Sequence, residues 1–260
     1  MQFNILHWLL EGSIYTFIGM DRQTFRVACI SDTHNCHDGL EIPPCDILIH
    51  AGDILQFTRL HSRALEELKD FLDWFSKQPA THKILIGGNH DLVMDVKITK
   101  STQGVDLIAK YRNITYLNNS GTTLSLHGKK LKVWGIPETD IGMAFNGLTP
   151  DLVAAIPDDV DILVTHSPPA GLSGEGAKLD QVPNGNSVRS VGNRVLYERV
   201  RDIVPTLHVF GHVHEGYGVY RATSPKSKTP SKVCTFVNAS IKRGHNDKGL
   251  NKPVLLQLSF

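Results

Sequence analysis

Five times along this chain a short apolar run stops and a residue able to bind a metal follows at once. Residues 25–30 run into Asp32-Thr33-His34, and residues 46–50 into Gly52-Asp53. Residues 83–86 lead to Asn89-His90-Asp91, residues 161–165 to His166, and residues 207–210 to His212-Val213-His214. Buried parallel strands read as such short β-branched runs. Open α/β sheets collect their ligands at the carboxyl ends of those strands. One Asp/His/Asn cluster after each of five strands implies one shared site, built from both halves of the chain. Its donors are those of a metal centre.

Composition narrows the partners. A chain of 260 residues can bury a sizeable core, in one domain or two. Its net charge of +1 gives no electrostatic case for a duplex nucleic-acid binder, which usually shows a basic face. Four cysteines, Cys29, Cys36, Cys45 and Cys234, lack CxxC spacing and the density of a disulfide scaffold. That usage favours a reducing, cytoplasmic setting. Residues 5–10 are apolar, but Glu11 follows them. A membrane-spanning helix needs about 20 apolar residues, and no small-residue cleavage site stands out. Residues 1–24 therefore read as an N-terminal extension whose apolar face packs on the domain or a partner, with residues 25–260 as one domain.

Along that domain strand and helix patterns alternate, as in a βαβ sheet. Leu60, Ala64, Leu65, Leu68, Phe71, Leu72 and Phe75 recur at helical spacing before Pro79. Further strands are expected at 115–117, 122–126 and 130–135, with His127-Gly128 as the turn between the last two. Residues 167–187 are rich in Pro, Gly, Ser and Asn and read as a functional loop beside His166. A helix is expected over 191–203, then strands near 218–221, 233–238 and 254–258. These elements imply two packed sheets with helices outside.

Asp32 and His34 are two apart, as are His212 and His214, and extended backbone would point each pair to one side. Imidazole, carboxylate and amide donors suit Mn²⁺, Fe and Zn²⁺. Seven candidate ligands (Asp32, His34, Asp53, Asn89, His166, His212 and His214) are too many for one tetrahedral zinc. They suffice for two ions sharing a carboxylate. Such a pair, about 3.5–4 Å apart, suits in-line phosphoester hydrolysis.

The ordered set Asp32-x-His34, Gly52-Asp53, Gly88-Asn89-His90-Asp91, His166 and Gly211-His212-x-His214 resembles the calcineurin-like metallophosphoesterase superfamily. Residues 46–53, 208–218 and Asn238-Ala239-Ser240 are further similar to its subgroup of metallophosphoesterase-domain-containing proteins. The resemblance implies a four-layer α/β/β/α sandwich of two mixed β-sheets flanked by helices. It also implies a hydrolase with two divalent ions, manganese favoured. One ion would take Asp32, His34 and His214, the other Asn89, His166 and His212, with Asp53 shared and a metal-bound hydroxide as nucleophile. His90 would stabilise phosphoryl oxygens or protonate the leaving group, with Asp91 orienting its imidazole. The protein Ser/Thr phosphatase branch continues its second motif with Asp-Arg-Gly, where this chain has Ile54-Leu55-Gln56. That departure disfavours the phosphatase branch, and the subgroup resemblance implies a phosphodiesterase acting on nucleotides or small diesters. A phosphomonoesterase, a nuclease, or a nucleotide-binding scaffold with negligible turnover are the alternatives.

Outside the ligand set, His37 and Tyr217 are the candidate substrate contacts, Tyr217 by stacking on a base. His50, His61, His82, His127 and His208 read as strand-end or solvated residues, and Cys36 as a spectator. The stretch Arg221, Lys226, Lys228 and Lys232 reads as a solvated basic loop.

Overall fold

The structure is a computed structural model, and it describes residues 7–10, 13–16, 24–171, 178–185, 187–223, 232–244, 247 and 249–259. Near the amino terminus, β1 (His7–Leu10) and β2 (Ser13–Thr16) pair as an antiparallel hairpin. Thr24, the last residue of the expected extension, already belongs to the first strand of the main sheet, and the rest of that extension lies outside the described residues.

Two larger sheets carry the molecule. The first has five strands in the order β15-β3-β4-β5-β6: β3 (Thr24–Ile30), β4 (Cys45–Ala51), β5 (Ala80–Ile86), β6 (Ile114–Tyr116) and β15 (Val254–Ser259). Strands β3 to β6 run parallel, and β15 closes one edge antiparallel to β3. The second has six strands in the order β13-β14-β12-β9-β8-β7: β7 (Ser120–Leu126), β8 (Lys129–Ile136), β9 (Ile162–Thr165), β12 (Leu207–Phe210), β13 (Gly218–Thr223) and β14 (Val233–Asn238). Here β8, β9, β12 and β14 run parallel to one another, and β7 and β13 close the two edges antiparallel to β8 and β14.

The period of two within each strand sorts side chains between layers. Val27 and Cys29 of β3 join Ile47, Ile49, Ile84 and Ile86 in a core that meets Val133, Ile162, Val164 and Val209 of the opposite sheet. Ala28 and Ile30 face the other way, onto Leu68, Phe71, Leu72 and Phe75 of α1 (His61–Ser76). A third core packs Leu163, Phe210 and Phe236 against Leu196, Val200 and Ile203 of α5 (Arg194–Ile203). Helix, sheet, sheet and helix therefore form the four layers. Shorter helices, α2 (Val96–Thr99), α3 (Gln103–Ile108) and α4 (Pro150–Ala154), fill the connections. The β7–β8 turn is the expected one, with His127 at φ 48 and Gly128 at φ 79 giving the two left-handed residues a tight hairpin needs.

Two elements differ from the sequence reading. The Pro/Gly/Ser/Asn-rich stretch is no single loop: β10 (Gln181–Asn184) and β11 (Ser187–Ser190) pair as a hairpin, while residues 172–177 and 186 lie outside the described residues. Helix α5 starts three residues later than expected, because Asn193 Oδ1 accepts the Leu196 N–H at 2.8 Å and caps it. No helix among the described residues is long and apolar enough to cross a membrane.

Candidate metal centre

Strand ends from both sheets converge. Asp32 and His34 follow β3, Asp53 follows β4, Asn89 and His90 follow β5, His166 follows β9, and His212 and His214 follow β12. Asp32, His34, Asp53, Asn89 and His166 are all buried, and Asp53 and Asn89 join His90, His212 and His214 on the wall of an open cavity of about 790 Å³.

Two donor clusters meet at Asp53. Asp32 Oδ1 lies 3.4 Å from His214 Nε2, which lies 3.2 Å from His34 Nε2. Asp53 turns Oδ2 to His34 Nε2 at 3.7 Å and Oδ1 to His166 Nε2 at 3.3 Å. Asn89 Oδ1 lies 3.0 Å from His166 Nε2 and 2.9 Å from His212 Nδ1. The donors of Asp32, His34 and His214 all fall within 4.8 Å of one another, as do those of Asp53, His166 and His212.

The rings are held from behind. His34 Nδ1–H donates to the Leu55 carbonyl at 3.0 Å, and His166 Nδ1–H to the Ala51 carbonyl at 2.8 Å. A carbonyl only accepts, so these bonds fix which ring nitrogen carries its proton outward and aim Nε2 at the site. Asp32 Oδ2 accepts from the Ser240 hydroxyl and the His212 N–H, each at 2.9 Å, which turns Oδ1 toward His214. Ser240 is itself fixed by Asn238, whose Oδ1 accepts the Ser240 N–H at 3.1 Å and lies 2.8 Å from the Ser240 hydroxyl oxygen. The Asn238 amide donates to the carbonyls of Val213 at 2.8 Å and Leu179 at 2.9 Å, so one buried side chain braces the loop between His212 and His214. Gly211 is required by closeness: a Cβ there would stand 2.0 Å from Asp32 Oδ2.

The backbone is strained where the candidate ligands sit. Asp32 (φ 51), His34 (φ 42), Asn35 (φ 63), Asp53 (φ 55) and His212 (φ 67) are all left-handed. Each such non-glycine residue costs on the order of 1 kcal/mol or more, and such residues cluster at functional sites. The pairs Asp32/His34 and His212/His214 thus converge through left-handed turns, not through the extended backbone that their spacing suggested.

Electrostatics prepare the donors. Burial works to raise the Asp53 carboxyl, but His166 and His34 outweigh it and bring it down to about 2. Asp32 is likewise held well below the usual carboxylate range, against its burial, by His214, His166 and His34. Burial lowers His34, and it takes His212 down to about 4 with help from His166. His166 goes the other way: burial opposes it, yet Asp53 and Asp32 raise it to about 9. At neutral pH the carboxylates are therefore ionised, while His166 holds a proton that an arriving cation would displace. Buried carboxylates, imidazoles and an amide, with no thiolate, fit borderline divalent cations.

Several expected contacts are not formed. Asp91 does not orient His90; its fully buried carboxylate accepts the backbone N–H groups of Gly88 at 2.8 Å, Leu55 at 2.9 Å and Ile54 at 3.2 Å. It ties two ligand loops together, and burial followed by Asp53 raises it to about 7. Tyr217 does not line the cavity: its ring packs on the inter-sheet core and its hydroxyl donates to the Lys252 carbonyl at 2.8 Å. His37 is turned away too, against Phe71 and Trp74 of α1. His50 and His208 are fully buried rather than solvated, bonded to Thr33 and Thr165 respectively. Cys36 approaches only the His34 carbonyl, at 3.6 Å, while His61, His82 and His127 are at least partly exposed. Lys226 and Lys228 lie outside the described residues.

Asn238 and Ser240 are the residues that sequence reasoning left without a role. Their signal was available: like the five ligand motifs, Asn238-Ala239-Ser240 follows directly on an apolar strand.

Comparison with known proteins places the chain in one family. The profile described as calcineurin-like phosphoesterase matches residues 25–216. Metallophosphoesterase domain-containing protein 1 of Homo sapiens is 33% identical over 257 residues, spanning 90% of this chain and 71% of that protein. Its Mus musculus counterpart gives the same figures. Among solved structures, TT1561 of Thermus thermophilus superposes with a TM-score of 0.54 at 12% identity, covering 83% of this chain and 89% of that one. This last likeness concerns the fold alone.

Proposed function

Because the chain belongs to the calcineurin-like phosphoesterase family, we propose that it is a phosphodiesterase holding two divalent ions, manganese for preference, and acting on nucleotide-type or small phosphodiesters. The observation that carries this reading is Asp53, a buried carboxylate with one oxygen toward His34 and the other toward His166. In this reading Asp32, His34 and His214 hold one ion, Asn89, His166 and His212 the other, and Asp53 is common to both. When bound, the pair would polarise a phosphoryl oxygen and make a water nucleophilic near neutral pH.

The remaining work falls to the chain's own groups. His90 lines the cavity with its backbone N–H tied to Asp53 at 2.8 Å, and its ring stands edge-on to His34 at 4.7 Å. Its Nδ1 has no hydrogen-bond partner among the described residues. An imidazole so placed can steady a phosphoryl oxygen or give a proton to the departing alkoxide. The asparagine and serine behind Asp32 keep that carboxylate aimed without touching substrate.

Cavity chemistry favours diesters. Glu215 and Asp247 stand on its lining, Ile141, Met143, Val182 and Pro183 form an apolar wall, and among the described residues no lysine or arginine lines it. A monoanionic diester carries less charge past those carboxylates than a dianionic monoester does, and its second ester group can rest on the apolar wall. The four free thiols favour a reducing, cytoplasmic location.

Metal analysis combined with Mn²⁺-dependent turnover of bis-nitrophenyl phosphate and nitrophenyl phosphate tests the reading, with Asp53→Asn as blank. Two ions per chain and faster diester cleavage are expected. Faster monoester cleavage would make this a phosphomonoesterase. Tight nucleotide binding with no turnover of either ester would make it a binding scaffold.

A further inference from the structure

His37 sits in a 3-10 turn, His37–Gly39, three residues beyond His34 and on the far side of that loop from the cavity. Its side chain is only 2% exposed, and neither ring nitrogen has a hydrogen-bond partner among the described residues. Phe71 meets the ring edge-on at 5.4 Å and Trp74 lies tilted at 5.3 Å, so the imidazole is fixed in place by α1. An imidazole buried without a partner costs stability. Its Nε2 points out of the aromatic packing at two carboxylates, Asp70 Oδ2 at 3.2 Å and Asp38 Oδ1 at 3.7 Å.

Those carboxylates are 71% and 83% exposed. Among the described residues, neither pairs with a lysine or arginine or makes a hydrogen bond. One ligand atom from each of His37, Asp38 and Asp70 lies within 4.8 Å of the other two. We propose that this is a separate metal site, in which His37 Nε2 and the Asp38 and Asp70 carboxylates hold one divalent transition-metal ion, of the zinc kind, with water completing its shell. One imidazole with two carboxylates is a donor set that such ions accept. The ion would satisfy the buried nitrogen and neutralise two otherwise uncompensated negative charges. It would also link the loop that carries Asp32 and His34 to Asp70 on α1, fixing that loop from outside the centre.

The test uses the full chain, stripped with chelator, dialysed against Zn²⁺ and assayed for ions per chain. Wild type is expected to hold one ion more than Asp70→Asn, with Asp38→Asn giving the same loss. Neither variant touches the cavity, so both should keep wild-type turnover of bis-nitrophenyl phosphate in Mn²⁺. Crystals grown with Zn²⁺ should show an anomalous peak about 2.0–2.2 Å from His37 Nε2, the usual zinc–ligand distance. Equal ion counts in wild type and both variants, or an extra ion whose peak lies elsewhere, would overturn the site and leave His37 in a plain ion pair. Because the count concerns ions outside the cavity, failure here leaves the diesterase reading standing, and failure of turnover leaves this one standing.

Discussion

Asn238→Ala is expected to weaken the fold and the metal centre together. The side chain is fully buried and every one of its polar atoms is used. Truncation leaves the Ser240 N–H without an acceptor and takes a donor from the Leu179 and Val213 carbonyls. The Val213 carbonyl keeps the Gly216 N–H at 2.9 Å, so its loss is the milder. An orphaned buried donor costs about 1–3 kcal/mol and a lost bond about 0.5–1.5 kcal/mol, giving about 4 kcal/mol in all at central values. Urea denaturation of the chelated protein reads this directly: at an m of about 2–3 kcal/mol/M, the midpoint should fall by more than about 1 M. Asn238→Asp should do worse, since carboxylate oxygens would then face two carbonyl oxygens across distances of 2.8 and 2.9 Å. Ser240→Ala separates the two effects, costing about 1 kcal/mol of stability while still lowering metal affinity, because it removes the hydroxyl that bonds Asp32 and leaves the Asn238 amide bonds in place. A loss under about 1 kcal/mol in Asn238→Ala, with unchanged metal affinity, would refute the bracing role.

Other expectations follow from the same coordinates. Asp53→Asn should abolish almost all turnover and lower metal occupancy; near wild-type rates with two ions bound would remove its bridging role. His90→Ala should keep its metals and lose about 10²–10⁴-fold in kcat, with a smaller loss for nitrophenolate leaving groups; equal losses on good and poor leaving groups would point to charge stabilisation instead. Tyr217→Ala should slow nucleotide and nitrophenyl diesters alike, since the ring packs on the inter-sheet core behind the His214 loop; a loss confined to nucleotides would restore a stacking role. His208 is pushed down to about 3 by burial, below its unfolded value, so the unfolded chain takes up the proton first. Stability should therefore be full above about pH 6.5 and fall as pH drops toward 3, by about 2 kcal/mol at pH 5 from this residue. The His208→Gln variant should show that much less pH dependence between pH 7 and 5, and an unchanged slope would refute the assignment.

The strands and the candidate ligands at their ends were legible because residues buried on both sheet faces are mostly apolar, so a cluster of polar residues marks the strand's end. What followed each strand was less so. Asp91 adjoins His90 in sequence, yet its side chain turns to the backbone of residues 54–55, a choice made by loop geometry that no spacing encodes. Tyr217 read as a ring stacking on a base; its packing on the core decides otherwise. The β10–β11 hairpin escaped because its strands are largely exposed, with Pro183 among them, and lack the alternation that marks a half-buried strand. His50 and His208 looked like surface breaks in apolar runs. Each is neutral, buried and bonded to a threonine on a neighbouring segment, a pairing visible only in three dimensions.

The left-handed residues around the centre constrain how such a chain can change over generations. A protein relieves a strained left-handed position most readily by drifting to glycine. At Asp32, His34, Asp53 and His212 that drift would delete a proposed ligand, so selection for activity holds the strain in place. Asn35 alone among the five can move to glycine without touching the ligand set. Any lineage that needs a hotter-running version must therefore find its gains elsewhere, in sheet packing, helix faces or loop caps, while these few residues stay fixed.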